Sequence, residues 1–322
     1  MTEVPDSAFA PLVDRSRPLH CFDHEEYQYR VKVQRFSSTP PEITVQGISF
    51  ERDRAAYDRA YRNGADHCFR RSGGVRAPSD DGPSDEDMER ARRRAKTRVR
   101  KLVKELVPNH FSTFTIREVG PTYFTAEDWK TIWGYFVRYL RNARVDFQYV
   151  SVLERHPTNP DHLHMHVAWR GKGYVNYNML RRFWHMSIGK HSGVVVKKVL
   201  RGSDSLGNVQ DRRIKASAGS YRHTEKIAKY IGKYITKDLI SEFNKKRYWQ
   251  STGISIAEAQ VFWLSALSMP EALREGLGMF GLWSEEAGGP VQRVFNPSDR
   301  VAWVAVDPKF FGATFLGRLP CV

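Results

Sequence analysis

Three histidines alternate with apolar residues along one short stretch of the chain, Asp161-His-Leu-His-Met-His-Val-Ala-Trp169. Such alternation predicts a β-strand, because successive side chains of a strand point to opposite faces of its sheet. We therefore expect His162, His164 and His166 to share one face. Two imidazoles at positions i and i+2 of a rigid strand can hold one divalent cation and leave its other coordination positions open. The stretch predicts a metal site of the catalytic kind.

A carboxylate close to the histidines extends this candidate site. Glu154 ends the preceding predicted strand, and a turn-like segment, Arg155-His-Pro-Thr-Asn-Pro160, separates it from the histidines. A carboxylate beside two imidazoles suits Mg²⁺ or Mn²⁺ as well as Zn²⁺. Zinc hydratases, cupin-type oxygenases and metal-dependent nucleases all use paired histidines on a strand. A second group of residues must therefore decide among these chemistries.

Two tyrosines one helical turn apart supply that second group. The segment Lys226-Ile-Ala-Lys-Tyr-Ile-Gly-Lys-Tyr-Ile-Thr-Lys237 repeats isoleucine every four residues, which predicts the apolar stripe of a helix. Tyr230 and Tyr234 fall at the border between this stripe and a flank of lysines. A phenolate can attack phosphorus, and because the pKa of free tyrosine is about 10, ammonium groups and a metal would assist its ionisation. Lys233, between the tyrosines, is the candidate for stabilising charge or shuttling a proton.

The overall charge predicts a polyanionic partner. The chain of 322 residues has 51 Lys and Arg against 36 Asp and Glu, a formal net charge of +15. The surplus concentrates on the polar face of a predicted helix, residues 90–104, and on the lysine flank beside the tyrosines. Cations in these places attract nucleic acid by counterion release. The candidate DNA-binding residues are Arg92, Arg93, Arg94, Lys96, Lys226 and Lys237.

The sequence lacks the features of an exported or membrane protein. No window approaches about 18 consecutive apolar residues, and the N-terminus has no cationic and apolar leader. Cys21, Cys68 and Cys321 form no CxxC pair and are too few for a disulfide framework. We therefore expect a soluble protein of the reducing cytoplasm with no membrane partner.

Hydrophobic periodicity predicts the elements that must position these residues. The predicted helices cover residues 85–107, after Ser84 as capping residue, 125–142, 178–188, 225–243 and most of 255–275. The predicted strands cover residues 27–36, 43–50, 111–118, 145–153, 161–169 and 193–200, with one or two more within 295–315, and residues 201–215 are predicted to be a polar loop. This order favours an α+β fold with a central antiparallel sheet flanked by helices.

Composition predicts three parts along the chain. Residues 72–84 are rich in Gly, Pro and Ser, which is typical of a linker. Residues 1–83 would form an N-terminal extension of uncertain fold. Residues 84–255 would form the domain with the histidines and tyrosines, and residues 256–322 a C-terminal extension of helix and short strands.

Three motifs together resemble the HUH family of rolling-circle replication initiators, in the two-tyrosine class found in single-stranded DNA phages and plasmids. They are Phe111-Ser-Thr-Phe-Thr-Ile-Arg117, His164-Met-His166 and Tyr230-Ile-Gly-Lys-Tyr-Ile-Thr-Lys237, and they follow the family's order within residues 86–255. The resemblance implies an HUH endonuclease fold, a variant of the RRM or ferredoxin-like fold. It leaves two metal pairs open, His162 with His164 or His164 with His166. We favour the second, because the sequence after His166 resembles the family's continuation, and His162 would then be a third ligand or support one.

The resemblance also implies an activity. Mg²⁺ or Mn²⁺, held by His164, His166 and Glu154, would bind the scissile phosphate of single-stranded DNA. One tyrosine would attack it and leave a free 3′-hydroxyl and a 5′-phosphotyrosyl enzyme, and the second would carry out the reverse transfer that releases a circle. The implied partners are the DNA of a replication origin and the host helicase and polymerase.

Other functions stay open at this point. A relaxase or transposase of the same chemistry is the first alternative, although paired tyrosines disfavour the single-tyrosine transposases and relaxases usually place the nucleophile before the histidine motif. The second is a non-catalytic nucleic-acid-binding protein whose histidines are structural or bind zinc. A zinc hydratase or oxygenase is the third, and neither would have a use for the positive charge or the lysine-rich helix.

Overall fold

The chain folds into two compact units. Residues 80–256 form the inner unit, and residues 1–79 with 257–322 form the terminal unit. The computed structural model describes residues 29–39, 41–47, 84–117, 124–156, 158–159, 162–172, 175–198, 201–202, 205–214, 221–237, 248–264, 268–278, 291–298 and 301–306. The predicted linker, residues 72–84, therefore lies outside the described residues except for Ser84.

The protein is α+β, with two antiparallel sheets and five described helices. The helices are α1 (Asp85–Leu106), α2 (Ala126–Asn142), α3 (Tyr177–Ser192), α4 (Tyr221–Lys237) and α5 (Met269–Gly278). The strands are β1 (Tyr29–Gln34), β2 (Glu42–Gly47), β3 (His110–Ile116), β4 (Gln148–Arg155), β5 (Leu163–Arg170), β6 (Gly207–Arg213), β7 (Tyr248–Gln250), β8 (Gln260–Leu264), β9 (Val291–Ser298) and β10 (Val301–Val306). In the inner unit the strand order is β6-β3-β5-β4-β7, so the histidine strand β5 is central.

The helices begin where the capping residues predict. The Ser84 side chain accepts a hydrogen bond from the Asp87 backbone at the start of α1, and Thr125 and Asp128 form a reciprocal capping box at the start of α2. Each cap satisfies backbone N–H groups that have no partner within the helix. The helix predicted over residues 225–243 corresponds to α4. Residues 238–243 of the predicted range lie outside the described part. No helix in the described part of the chain is long and apolar enough to span a membrane.

One face of the inner sheet packs against α2 and α3. Alternate residues of β3 and β5 enter this core, including Phe114, Met165 and Trp169, together with Trp129 and Trp184 from the helices. The aromatic rings meet mostly edge to face, with Phe114 and Trp184 centroids 5.1 Å apart. This side of β5 is therefore wholly structural, as its apolar positions predict.

The other face packs against α1 and α4. Val99, Leu102 and Leu106 of α1 and Ile231 and Ile235 of α4 are buried against β4 and β5 in a second cluster. At Gly232 an added Cβ would lie 3.6 Å from Cγ of Lys96, so the two helices run close together there. The isoleucine stripe predicted for α4 therefore faces the sheet that holds the histidines.

The terminal unit draws its sheet from both sides of the inner unit in the sequence. Its strand order is β8-β1-β2-β10-β9, so β1 pairs with β8 and β2 with β10. Val31 and Val45 pack against Met269 and Ala272 of α5. The segments predicted as two separate extensions thus contribute strands to one sheet.

The strand predicted over residues 193–200 is wrong. Gly193 ends α3 with φ +77°, and the Val194 N–H then donates to the Gly189 carbonyl. Residues 194–198 pair with no strand, and Val195 is 81% exposed. The strand of this region is β6, within residues 201–215, which were predicted to be a polar loop. β6 lies at the sheet edge and buries few side chains, so its sequence is mostly polar.

The long helix predicted over residues 255–275 is also wrong. Residues 260–264 form β8, which pairs antiparallel with β1, and α5 begins only at Met269. The pairing joins segments distant in sequence, and helical periodicity within a short window does not report such a partner.

Candidate active site

The histidines predicted to bind metal lie on the face of β5 that packs against α1 and α4. The antiparallel registers place His164 between Thr115 of β3 and Glu154 of β4. They place His166 one row along, between Thr113 and Val152. Because directly paired side chains are neighbours on a sheet face, Glu154, His164 and His166 share one surface. The choice of His164 and His166 as the metal pair stays a prediction.

His166 is held from three directions. Its Nε2–H donates to Glu154 Oε2 over 2.8 Å, and the Thr113 hydroxyl donates to its Nδ1 over 3.2 Å. The ring stacks on that of Tyr234, with centroids 4.0 Å apart and planes 13° from parallel. His166 and Glu154 are both buried. A ring fixed at both nitrogens and on one face has a single orientation, as a ligand or catalytic group needs.

The two tyrosines lie beside this histidine but differ in exposure. Tyr230 is 48% exposed, whereas Tyr234 is 7% exposed. Their rings meet edge to face with centroids 5.0 Å apart, and Tyr230 also contacts Phe111 edge-on. Burial raises the pKa of Tyr234 above the usual range, with further contributions from its hydrogen bond with Tyr230 and the charge of Glu154. The more exposed side chain of the pair is therefore that of Tyr230.

His162 and His164 form a second group with His156, a residue that the sequence analysis left in a turn. The ring centroids of His164 lie 4.9 Å from His156 and 5.2 Å from His162. The His162 Nε2–H donates to the Ile116 carbonyl. Burial and then the neighbouring imidazoles lower the pKa of His164 to about 4, so this ring is neutral at pH 7. A neutral imidazole is the form that binds a metal.

The side chains around Glu154 fit part of a metal site. Ligands about 2.1 Å from a cation and at right angles to one another are about 3 Å apart, close to the 2.8 Å between His166 Nε2 and Glu154 Oε2. His164 shares their surface and has the neutral ring that coordination needs. Within the described residues, however, no three His, Cys, Asp or Glu side chains form a ready-made metal cluster. His166 and Glu154 therefore fit two adjacent coordination positions, with His164 as the nearby third donor.

The predicted DNA-binding cations are only partly available to a ligand. Arg92 and Arg93 both pair with Glu89, the second through a 3.0 Å contact between Nε and Oε1. This carboxylate lies one turn before them, so the acid neutralises part of a helix face predicted to be uniformly basic. Arg94 and Lys96 are exposed.

On α4, Lys226 and Lys233 are exposed, and the side chain of Lys237 lies outside the described part. Lys233 lies one residue before Tyr234 in the helix, on the side away from the buried stripe. These two exposed lysines put positive charge on the same helix as the tyrosines.

Comparison of the chain with family models, curated proteins and solved structures gave no match. The site therefore stands on its own geometry. Sequence reasoning did not assign roles to Thr113 and Phe111, which contact His166 and Tyr230. Their signal was present, because both occupy alternate positions of the strand Phe111-Ser-Thr-Phe-Thr-Ile and so share one face.

Proposed function

We propose that the protein is an HUH-type initiator of rolling-circle DNA replication, which nicks single-stranded DNA at a specific site through a tyrosine nucleophile and later rejoins it. One observation carries the proposal. Tyr230 and Tyr234 of α4 meet His166 of the central strand, and the ring of Tyr234 stacks on the imidazole at 4.0 Å. Tyrosines and a histidine that were predicted on separate elements for one chemistry thus lie side by side.

Tyr230 is the nucleophile of the first cleavage in this proposal. Its exposed ring can meet a phosphate without rearrangement of α4, and Phe111 supports the ring from one side. The Tyr230 oxygen attacks phosphorus as the bond to the 3′ oxygen breaks. The phenol loses its proton and the departing oxygen gains one, so the products are a 5′-phosphotyrosyl bond and a free 3′-hydroxyl.

The surrounding side chains position the reacting groups and neutralise the charge of the phosphate. Tyr234 holds the His166 ring by stacking, and it accepts the strand in the second transfer. Lys233 on the outer side of α4 offsets charge on the phosphate. The exposed Lys226 and Lys96 attract the approaching DNA backbone.

His166, Glu154 and His164 are the residues that would hold Mg²⁺ or Mn²⁺. Such a cation would supply charge stabilisation at the scissile phosphate. We assign His162 the role of supporting His164, because the two rings are in contact and the Nε2–H of His162 donates to the Ile116 carbonyl.

One observation favours a second candidate, a non-catalytic nucleic-acid-binding protein. His166 and Glu154 bond to each other directly, and a purely structural pair would do the same. The two candidates differ in whether DNA becomes covalently attached.

The test uses random-sequence single-stranded oligonucleotides labelled at either end, incubated with the protein and Mn²⁺ and run on a denaturing gel. The expected adduct retains the 3′ label and releases the 5′ label, because the enzyme keeps the 5′ phosphate. The Tyr230→Phe/Tyr234→Phe double variant should form none. Tyr139→Phe, on the other side of the sheet, is the matched control and should react as the parent does. An adduct that survives in the double variant, or no adduct in the parent, rejects the proposal.

A further inference from the structure

The face of the inner sheet that carries the tyrosine site continues beyond it to the sheet edge. Helices α1 and α4 pack over β4 and β5. On the edge strand β6, the side chains that share this face are exposed, and they are Asn208, Gln210 and Arg212. The edge of the sheet thus presents amide and guanidinium groups to solvent beside the tyrosine site.

The strand registers align these exposed residues with the site in rows. The first row runs Asn208, Thr115, His164 and Glu154 across β6, β3, β5 and β4. Paired side chains on neighbouring strands are about 5 Å apart, so each row is a continuous polar path.

The second row runs Gln210, Thr113 and His166, and the third places Arg212 beside Phe111, which contacts Tyr230. Successive rows are about 7 Å apart along the strands, because one face takes every second residue. We call these paired positions of β3 and β6 the edge ladder.

The edge ladder has no acidic member. Asp211, between Gln210 and Arg212 in sequence, alternates to the opposite face, where it accepts hydrogen bonds from Ser112 and His110. A surface of hydroxyls, amides and one guanidinium attracts phosphate and also offers hydrogen bonds to base edges. A duplex hides most of these edges, whereas a single strand splays them out.

We infer that the edge ladder binds the single-stranded DNA segment that adjoins the scissile phosphate and contributes to the choice of sequence. Arg212 contacts a backbone phosphate, and Gln210 and Asn208 bond to base edges. The inference rests on the proposed function for the position of the scissile phosphate. The placement of Arg212 and Gln210 on the tyrosine face does not depend on catalysis.

The chain offers a matched pair of substitutions. Arg212 and Arg213 are adjacent, exposed and equal in charge, but they lie on opposite faces of β6, opposite Phe111 and His110 respectively. Arg212→Ala and Arg213→Ala therefore remove the same charge from two faces of one strand. Circular dichroism and thermal unfolding show whether both variants remain folded.

Binding of fluorescent random-sequence single-stranded DNA is measured by anisotropy across a salt series. We expect Arg212→Ala to lower the affinity about tenfold and to reduce the salt slope by about 0.7, the value for one lost phosphate contact. Arg213→Ala should change the affinity by less than about twofold. Sequencing of the bound pool should show a changed base preference for Gln210→Ala and an unchanged one for Arg213→Ala.

Equal effects of Arg212→Ala and Arg213→Ala, or none from either, overturn the edge ladder. These outcomes are separable from failure of the proposed function. If the parent never forms a covalent adduct yet Arg212→Ala alone weakens binding, the ladder stands and the nicking activity falls. If the adduct forms normally while the two variants bind alike, the nicking activity stands and the ladder falls.

Discussion

The two units contain sheets of the same size and pairing but opposite chemical character. Each sheet has five strands in antiparallel order. The inner unit has 34 Lys and Arg against 18 Asp and Glu, a net charge of +16, whereas the terminal unit has 17 against 18, a net charge of −1. The whole positive surplus therefore belongs to the unit that holds the histidines and tyrosines.

The two units therefore differ strongly in net charge although both contain a five-stranded antiparallel sheet. Such a sheet packed against helices is a common solution to burying apolar residues. In the inner unit one sheet face also carries amides, threonines, histidines and a glutamate across four adjacent strands. We therefore expect DNA-dependent effects to follow substitutions in the inner unit only.

The largest effect should come from the exposed tyrosine. Tyr230→Phe removes the attacking oxygen and should lower covalent adduct formation about a thousandfold or more, the scale seen when a nucleophile is lost. Tyr29→Phe removes the same hydroxyl from the terminal unit and should leave the rate unchanged. The effect of each variant is measured as the initial rate of adduct formation, followed on denaturing gels. A comparable loss in Tyr29→Phe would show that adduct formation does not depend on the inner unit alone.

Reversal of one surface charge should give the next largest effect. Lys96 is exposed on α1 beside α4, and Lys32 is exposed on β1 of the terminal unit. Lys96→Glu should weaken binding of single-stranded DNA about fivefold at low salt, because it replaces attraction to the phosphates by repulsion. Lys32→Glu should stay within about twofold. Fluorescence anisotropy measures the affinity of each variant for single-stranded DNA. Similar losses of affinity in both variants would show that binding depends only on the total charge of the protein.

Acid should destabilise the inner unit through a buried histidine. Burial lowers the pKa of His185, whose Nε2–H donates to the Gly207 carbonyl over 3.0 Å. Between this lowered value and the ordinary value of about 6.5, the unfolded chain holds a proton that the folded chain does not. The stabilising contribution is thus complete above pH 6.5 or so and declines as the pH falls.

We expect the free energy of unfolding in urea to decrease between about pH 7.5 and pH 5.5, by no more than about 1.4 kcal/mol, the limit for one proton over the pH unit below 6.5. His185→Gln keeps a donor for Gly207 but does not titrate, so it should flatten this dependence. An equal slope in the parent and in His185→Gln would exclude this histidine as the cause.

The smallest effect should come from the terminal unit. There, acid should increase the free energy of unfolding and not decrease it. Burial and then the charge of Glu271, one turn earlier in α5, raise the pKa of Glu275. Its ionised form is therefore disfavoured in the folded state, and acid relieves this cost. Glu275→Gln should increase the free energy of unfolding by about 0.3 kcal/mol at pH 7, as for a like-charge pair at i and i+4. Near pH 3 the parent and the variant should be equally stable in urea.

Local rules predicted the elements that carry the site. The alternation around His164 and His166 gave the correct strand and the correct division into a core face and a polar face. The caps at Ser84 and Thr125 gave correct helix starts, because a cap depends on residues within one turn. The isoleucine stripe of α4 correctly gave the side of the tyrosine helix that packs on the sheet.

Contacts between segments that are distant in sequence could not be predicted from the same local rules. The valines at 194–196 have the composition of a strand, but no strand pairs with them. The stack of Tyr234 on His166 depends on how α4 crosses β5. Residues predicted to be chemically equivalent, such as the two tyrosines, could therefore be told apart only by their burial.

The terminal unit takes its strands from both sides of the inner unit in the sequence. This arrangement determines the order in which the two sheets can form during synthesis. A ribosome completes all five inner strands by Gln250, while β1 and β2 still lack β8 and β10. At about 5–20 residues per second, the chain from residue 256 to 306 takes roughly 3–10 seconds to make. β1 and β2 can therefore pair with each other early, but they gain their outer neighbours late, and the terminal sheet is complete only in a chain translated through β10.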